Sequence, residues 1–155
     1  MELFEAYIEE QALRKAMEHS RSAAGQRKEA MGLLAGEVRE WIGRRYVVVS
    51  DYLTAGNSAT SVSVSFSEEA FPQLAKQINE SRRKNKIVVG WSHSHPNFGC
   101  FLSSTDVQTQ KKYFSEEFSI AMVIDPVRRE KKVFKINGRE NGYRESSYAV
   151  IRSRE

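Results

Sequence analysis

Residues 87–95 read Ile-Val-Val-Gly-Trp-Ser-His-Ser-His, and this stretch limits the possible folds more than any other in the chain. Its alternation is that of a β-strand with unequal faces. Ile87, Val89, Trp91, His93 and His95 point one way, and Val88, Gly90, Ser92 and Ser94 the other. The second set is small, which invites close packing against it. The first set ends in two imidazoles two residues apart. Side chains at that spacing share a face and lie roughly 6–7 Å apart. The gap suits two ring nitrogens converging on one ion, with bonds of about 2.0–2.1 Å.

Asp106 follows, and a carboxylate oxygen is an accepted third ligand for zinc. Three protein ligands leave a fourth position open, which marks a catalytic rather than a structural site. Each residue also has a plainer reading. His93 and His95 could be polar residues at a strand end, bonded to backbone. Ser103-x-x-Asp106 is close to a helix capping box. That reading is compatible with ligation, because a carboxylate in the first helical turn is favoured by the helix dipole and stays ionised.

The count His93-x-His95, seven residues, Ser103, two residues, Asp106 resembles the metal motif of the JAMM (MPN+) zinc proteases. The family also has an upstream glutamate before a Gly-Leu-Leu-x-Gly stretch, and here Glu29 precedes Gly32-Leu33-Leu34-Ala35-Gly36. The resemblance covers residues 5–137. Val89-Gly90-Trp91, Phe98-Gly99-Cys100, Thr109-Gln110 and Val123-Ile124-Asp125-Pro126 are most similar to the branch that removes ubiquitin at the proteasome lid.

The resemblance implies an α/β fold: a single cytidine-deaminase-like MPN domain, with a mixed β-sheet flanked by helices. It implies one zinc ion held by His93, His95 and Asp106, with Glu29 as general base and Ser103 as the donor facing a developing oxyanion. Glu29 could otherwise be a surface carboxylate beside Arg27 and Lys28, and Ser103 a helix N-cap, with Ser104 the better candidate for a pure cap. The implied activity is isopeptidase cleavage between the C-terminal glycine of ubiquitin or a ubiquitin-like modifier and a substrate lysine, with the proteasome as a possible partner. Trimming of sulfur-carrier proteins that end in Gly-Gly is the alternative, and a non-catalytic MPN scaffold the third reading. Intact ligands argue against the scaffold.

In relatives the stretch matching Thr54, Ala55, Gly56, Asn57, Ser58, Ala59, Thr60 and Ser61 gates the substrate groove. Its small side chains offer no bulky anchor, so it is expected to be a mobile loop that an extended peptide could order by strand addition. The plainer reading is an idle connector. Cys100 has no free histidine nearby to activate it and is expected to be a small buried hydrophobe. Trp91 is expected to be a packed wall beneath the metal, and His19 an exposed helix residue.

The remaining bounds are modest. At 155 residues the chain is expected to form one domain, with a core over about 5–137 and a short closing segment over 138–155. No apolar run approaches a membrane span, the start Met1-Glu2-Leu3-Phe4-Glu5 is unlike a signal peptide, and the single cysteine fits a reducing interior, so a cytoplasmic protein is expected. The net charge of +4 gathers after Pro126, where nine Lys/Arg stand against four Asp/Glu. Without interleaved aromatics this reads as a solvated surface, and no specific nucleic acid is expected.

Apolar periodicity predicts a helix over 9–24, strands over 30–36, 46–53 and 62–66, and a helix from a Ser67 cap to about Lys84. A strand over 87–95, a helix from Ser103 or Ser104 to near Phe118, and strands over 119–125 and 132–136 follow. The tail is read as a strand or helix that closes the core.

Overall fold

The computed structural model describes residues 3–55, 57–59, 64–66, 68–137 and 142–153. β1 (Ala6–Glu9) runs directly into α1 (Glu10–Gly25), and the antiparallel pair β2 (Met31–Trp41) and β3 (Arg44–Leu53) follows. A small hairpin pairs β4 (Asn57–Ala59) with β5 (Val64–Phe66). After a 3-10 turn at Glu68–Ala70 come α2 (Phe71–Arg83), β6 (Ile87–Ser94) and α3 (Ser104–Tyr113). The chain then forms β7 (Ile120–Asp125), β8 (Glu130–Ile136), β9 (Tyr143–Ser146) and β10 (Tyr148–Ile151).

Eight strands make one mixed sheet in the order β10-β1-β3-β2-β6-β7-β8-β9. Two apolar layers cover it. On one face α1 presents Ala12, Leu13 and Ala16, spaced as a helical stripe, to Leu34, Val49, Val89 and Met122. On the other face Leu74 of α2 and Val107 of α3 join Leu33, Leu53, Trp91 and Val123. β7 serves both layers by alternation, Ala121 and Val123 on one side and Met122 and Ile124 on the other.

The tail closes the sheet. β9 borders β8 while β10 borders β1, and only Ser147 lies between them. The two edge strands therefore follow one another end to end. Ser147 accepts there from the Glu5 and Ala6 amides, at 3.1 and 3.2 Å. Arg144 adds a two-pronged ion pair to Glu5, at 2.7 and 2.6 Å. Neither edge is left as a long open template for another strand.

Several sequence expectations need correction. β1 was not foreseen, being only four residues long. The helix expected to reach Phe118 stops at Tyr113, and Phe114 turns inward to stack on Trp91. Asn57–Ala59, expected as loop, pairs as β4. The Ser67 cap lies outside the described residues, and Pro72 falls in the first turn of α2, where its missing N–H is harmless. Val89 and Trp91 do not share a face. Leu34 pairs with Gly90 and Ala35 with Val88, so Val89 is the extra residue of a β-bulge. The bulge turns Val89 toward α1 and leaves Trp91 on the α3 side.

Gly90 sits beside that bulge because nothing larger fits. A Cβ there would lie 2.0 Å from the Ile120 carbonyl oxygen of the neighbouring strand. Gly90→Ala should lower the unfolding free energy by about 3 kcal/mol, the upper range for overpacking. Gly25, at the end of α1, has no atom within 4 Å of a Cβ and no left-handed φ. Gly25→Ala should stabilise by about 0.4–1 kcal/mol by restricting the unfolded chain. Urea unfolding of the two variants checks both signs.

Candidate metal centre

Three elements deliver the site. β6 ends at Ser94, with its last turn of pairing fixed from both sides. Met31 stands opposite His93, Ser94 N–H donates to Ala30 O at 3.0 Å, and Ala30 N–H donates to Ser94 Oγ at 2.8 Å. On the other flank His95 N–H donates to Ile124 O at 2.9 Å. Continuing the β2–β6 register two steps beyond the Met31–His93 pair places Glu29 beside His95. The third element is the N-terminus of α3, which carries Asp106.

His93 and His95 are both buried, and their Nε2 atoms lie 3.1 Å apart. Asp106 Oδ2 lies 3.1 Å from the first and 3.2 Å from the second. A tetrahedral ion with bonds of about 2.0–2.1 Å holds its ligand atoms about 3.3–3.4 Å apart. The triangle is therefore close to the size such an ion requires. Hydrogen bonding alone satisfies it poorly. Each Nε2 needs a proton to reach Asp106, and the two N–H groups would then oppose each other. Two imidazoles and one carboxylate are a donor set that suits zinc.

The ring orientations have different causes. Gly99 O can only accept, so His95 Nδ1–H donates to it at 3.3 Å, and loss of the Nε2 proton to an ion would turn that lone pair toward the cluster. His93 Nδ1 has no partner among the described residues. Its ring is held instead by stacking on Trp91, with centroids 4.4 Å apart and planes 16° from parallel. Trp91 is itself fixed by Nε1–H donation to Gln110 Oε1 and by the Phe114 ring behind it.

The electrostatics favour ligation. Burial alone would raise the Asp106 pKa, but hydrogen bonds from His93 and His95, and then from the Ser103 amide, outweigh it and hold the carboxyl far below its usual range. Burial keeps His93 neutral by pushing its pKa down. For His95 burial also acts downward, but Asp106 and Glu29 overcome it and the net direction is up. Metal ligands must be a carboxylate and neutral imidazoles, and an ion would displace the remaining proton. Glu29 is half-buried and shifted upward, chiefly by burial, with His95 opposing and Asp106 reinforcing the shift. A carboxylate raised in this way is better suited to carry a proton near neutral pH.

Ser103 is the N-cap of α3. Its Oγ accepts from Asp106 N–H at 3.1 Å, while Ser103 N–H donates to Asp106 Oδ2 at 2.9 Å, a complete capping box. Ser103 O–H is left to donate elsewhere. Ser104, expected as the pure cap, is instead the first helical residue.

Other expectations fare variously. Trp91 is the packed wall foreseen. Cys100 is half-buried with its thiol toward Val123 O, and burial pushes its pKa up, so it has none of the features of a nucleophile. His19 is not an exposed residue: it is half-buried, and its Nδ1 lies 2.6 Å from Tyr52 Oη. Of the gate stretch, Gly56, Thr60 and Ser61 lie outside the described residues. Thr54 is anchored, donating through Oγ1 to Met31 O at 2.8 Å and accepting from Gln77 Nε2 at 3.0 Å. Ala55 packs against the apolar layer that contains Trp91.

Sequence reasoning passed over Asp125. Its carboxylate is fully buried and accepts from the amides of Asn97, Gly99, Val127 and Arg128. Burial would raise its pKa, yet those four amides carry it down. A carboxylate closing the apolar run Ile120–Ile124 was the available signal, because such a group must be satisfied somewhere.

Residues 3–117 match the family model described as JAB1/Mov34/MPN/PAD-1 ubiquitin protease. The 26S proteasome regulatory subunit RPN11 of Candida glabrata is 38% identical over 122 residues, which cover 78% of this chain and 38% of that protein. The ubiquitin carboxyl-terminal hydrolase RPN11 of Saccharomyces cerevisiae matches at the same identity and coverage. The 26S proteasome non-ATPase regulatory subunit 14 of Drosophila melanogaster is 36% identical over 124 residues, 79% of this chain and 39% of that protein. The chain thus spans about 38% of the length of the curated relatives it matches. Among solved structures, protein DSY2949 of Desulfitobacterium hafniense superposes with a TM-score of 0.69 over 96% of this chain and 94% of that one. At 21% identity that likeness concerns the fold alone. Among the described residues no helix is long and apolar enough to cross a membrane.

A preformed cluster should bind zinc and be stabilised by it. At about 100 times its Kd the ion adds about 2.7 kcal/mol, which for a chain of this size raises Tm by about 5–10 °C. The shift should vanish in His95→Ala. Thermal melts of chelator-treated protein with and without added zinc check this, and the absence of any shift in the unsubstituted protein would remove the ion.

Proposed function

The chain belongs to the JAB1/Mov34/MPN/PAD-1 family, and from that footing we propose that it is a zinc-dependent isopeptidase. Its substrate is the bond between the C-terminal glycine of ubiquitin, or of a ubiquitin-like modifier, and a lysine amine. The observation that carries this reading is the convergence of His93 Nε2, His95 Nε2 and Asp106 Oδ2 within 3.2 Å of one another. The relatives named as ubiquitin hydrolase and as proteasome regulatory subunits supply the substrate class and make the proteasome a candidate partner.

His93, His95 and Asp106 would hold the zinc. When bound, zinc polarises the scissile carbonyl and makes a water acidic enough to attack near neutral pH. Glu29 takes the proton of the attacking water and later hands it to the leaving lysine amine, so that the amine departs neutral. Ser103 O–H donates to the oxygen on which negative charge develops. Its Oγ is already aimed by the Asp106 amide it accepts from. The stretch Thr54–Ser61 would lie along the modifier's tail, where a Gly-Gly end is thin enough to thread a tight groove. Thr54, hydrogen-bonded to the residue opposite His93, ties one end of that stretch to the site.

Two substitutions test the roles separately. Glu29→Gln should retain fold and zinc while turnover of a ubiquitin dimer falls by about 100-fold or more. Ser103→Ala should lower kcat by about 100-fold with little change in KM, and should also cost about 1 kcal/mol of stability through the lost cap. A stability loss with normal kcat would leave Ser103 as a cap alone. Cleavage of a ubiquitin dimer and of a sulfur-carrier fusion, compared side by side, fixes the substrate class. Failure to cut either would overturn the proposal.

A further inference from the structure

The feature that aims His95 lies outside the cluster. Its Nδ1–H donates to Gly99 O, in a loop where Asn97 and Gly99 both hold left-handed backbone, with φ of 65° and 83°. Nothing in β6 fixes such a loop, because the strand has ended. It is fixed from β7. Asp125 Oδ1 accepts from Asn97 N–H at 2.9 Å and from Val127 and Arg128 N–H at 3.0 Å each. Oδ2 accepts from Gly99 N–H at 2.8 Å, with the Arg128 guanidinium 3.7 Å away. The two oxygens divide the work. Oδ1 builds the turn after β7 and pins Asn97, while Oδ2 sets the Gly99 peptide whose carbonyl His95 reads.

We propose that Asp125 is a positioning residue for the metal centre, fixing the tautomer and aim of His95 through the Gly99 peptide and thereby setting the affinity for zinc. The inference rests on the metal reading above and extends it to a residue with no contact to the cluster. Partners that orient a ligand histidine through its second nitrogen typically change metal affinity by about 10–100-fold when removed. His93 serves as an internal control. Its ring is set by Trp91 stacking and its Nδ1 is unpartnered, so it has no link to Asp125.

Asp125→Asn isolates the link. The amide oxygen can replace Oδ1 and keep three hydrogen bonds, but the NH2 group then meets Gly99 N–H as donor against donor. The flipped amide would set its NH2 against three backbone amides and is worse. The variant should therefore fold, with zinc affinity lowered about 10-fold or more, read by competition with a chromogenic chelator. In metal-free protein, long-range proton–nitrogen NMR of the imidazoles should show His95 protonated at Nδ1 in the unsubstituted chain. Asp125→Asn should give a mixture of tautomers at His95, with His93 unchanged. A merely structural role would lower stability and leave both readouts as they were. Unchanged zinc affinity overturns the proposal, whatever the stability. If the unsubstituted protein binds no zinc, the metal reading fails instead, and the ring tautomers alone then decide whether Asp125 orients His95. Should the variant not fold, amide exchange in the unsubstituted protein keeps the test alive: a Gly99 amide exchanging as fast as an exposed loop amide overturns the proposal.

Discussion

One carboxylate oxygen, Asp106 Oδ2, binds the helix start and the histidine pair into a single object. It accepts from the Ser103 amide and faces both Nε2 atoms within 3.2 Å. The first turn of any helix has unpaired amides and a partial positive charge, so an anion there is favoured by about 0.3–1 kcal/mol and up to about 2 when partly buried. Here that preference coincides with what a cation ligand requires, since a ligand carboxylate must be ionised. The cap and the ligand triangle are one arrangement, and α3 cannot shift along its axis without opening it. Leu102, buried immediately before the cap, fixes where the helix enters.

The sheet supplies the opposite wall. β6 is antiparallel to β2 and parallel to β7, so its C-terminal end is held from both flanks. The exchange between Ala30 and Ser94 holds the last residues before the site, and it also brings the end of the α1–β2 loop, with Glu29, to the same place. The bulge at Val89 gives each layer what it needs. Val89 fills the α1 side, and Trp91 remains under His93 with Gln110 and Phe114 behind it. A strictly alternating strand would put Val89 in the layer of Trp91 and turn Val88 toward α1 in its place.

Much of this was legible because local chemistry and tertiary demand agree. The Ser103–Asp106 spacing states a cap in four residues, and the i, i+2 histidines state a shared face. The failures occur where a distant partner decides. β1 is too short to announce itself and exists because β3 and β10 both pair with it. The bulge depends on register with β2, which no window on β6 contains. His19 looked exposed on its helix because Tyr52, its partner, comes from β3. Asp125 was quoted for its sequence neighbours but not for its chemistry, since its partners at Asn97 and Gly99 are brought near only by the β6–β7 pairing.

Ser103 shows how one atom can serve structure and reaction without conflict. A hydroxyl has two lone pairs and one proton. The cap uses a lone pair, because Oγ accepts from the Asp106 amide, and leaves the proton unspent. Accepting a hydrogen bond polarises the O–H and strengthens what it then donates. It also removes rotational freedom, since the Cβ–Oγ bond is already aligned by the cap. In the proposed reaction the donor to the developing oxyanion is thus preorganised by the start of α3. The same helix start holds Asp106 in place, so the placement of oxyanion donor and metal ligand is fixed together and cannot drift apart as the protein breathes. Replacing the cap by another good capping residue without a hydroxyl, such as Asp, would keep the helix and lose the donor, which separates the two uses of this position in physical terms.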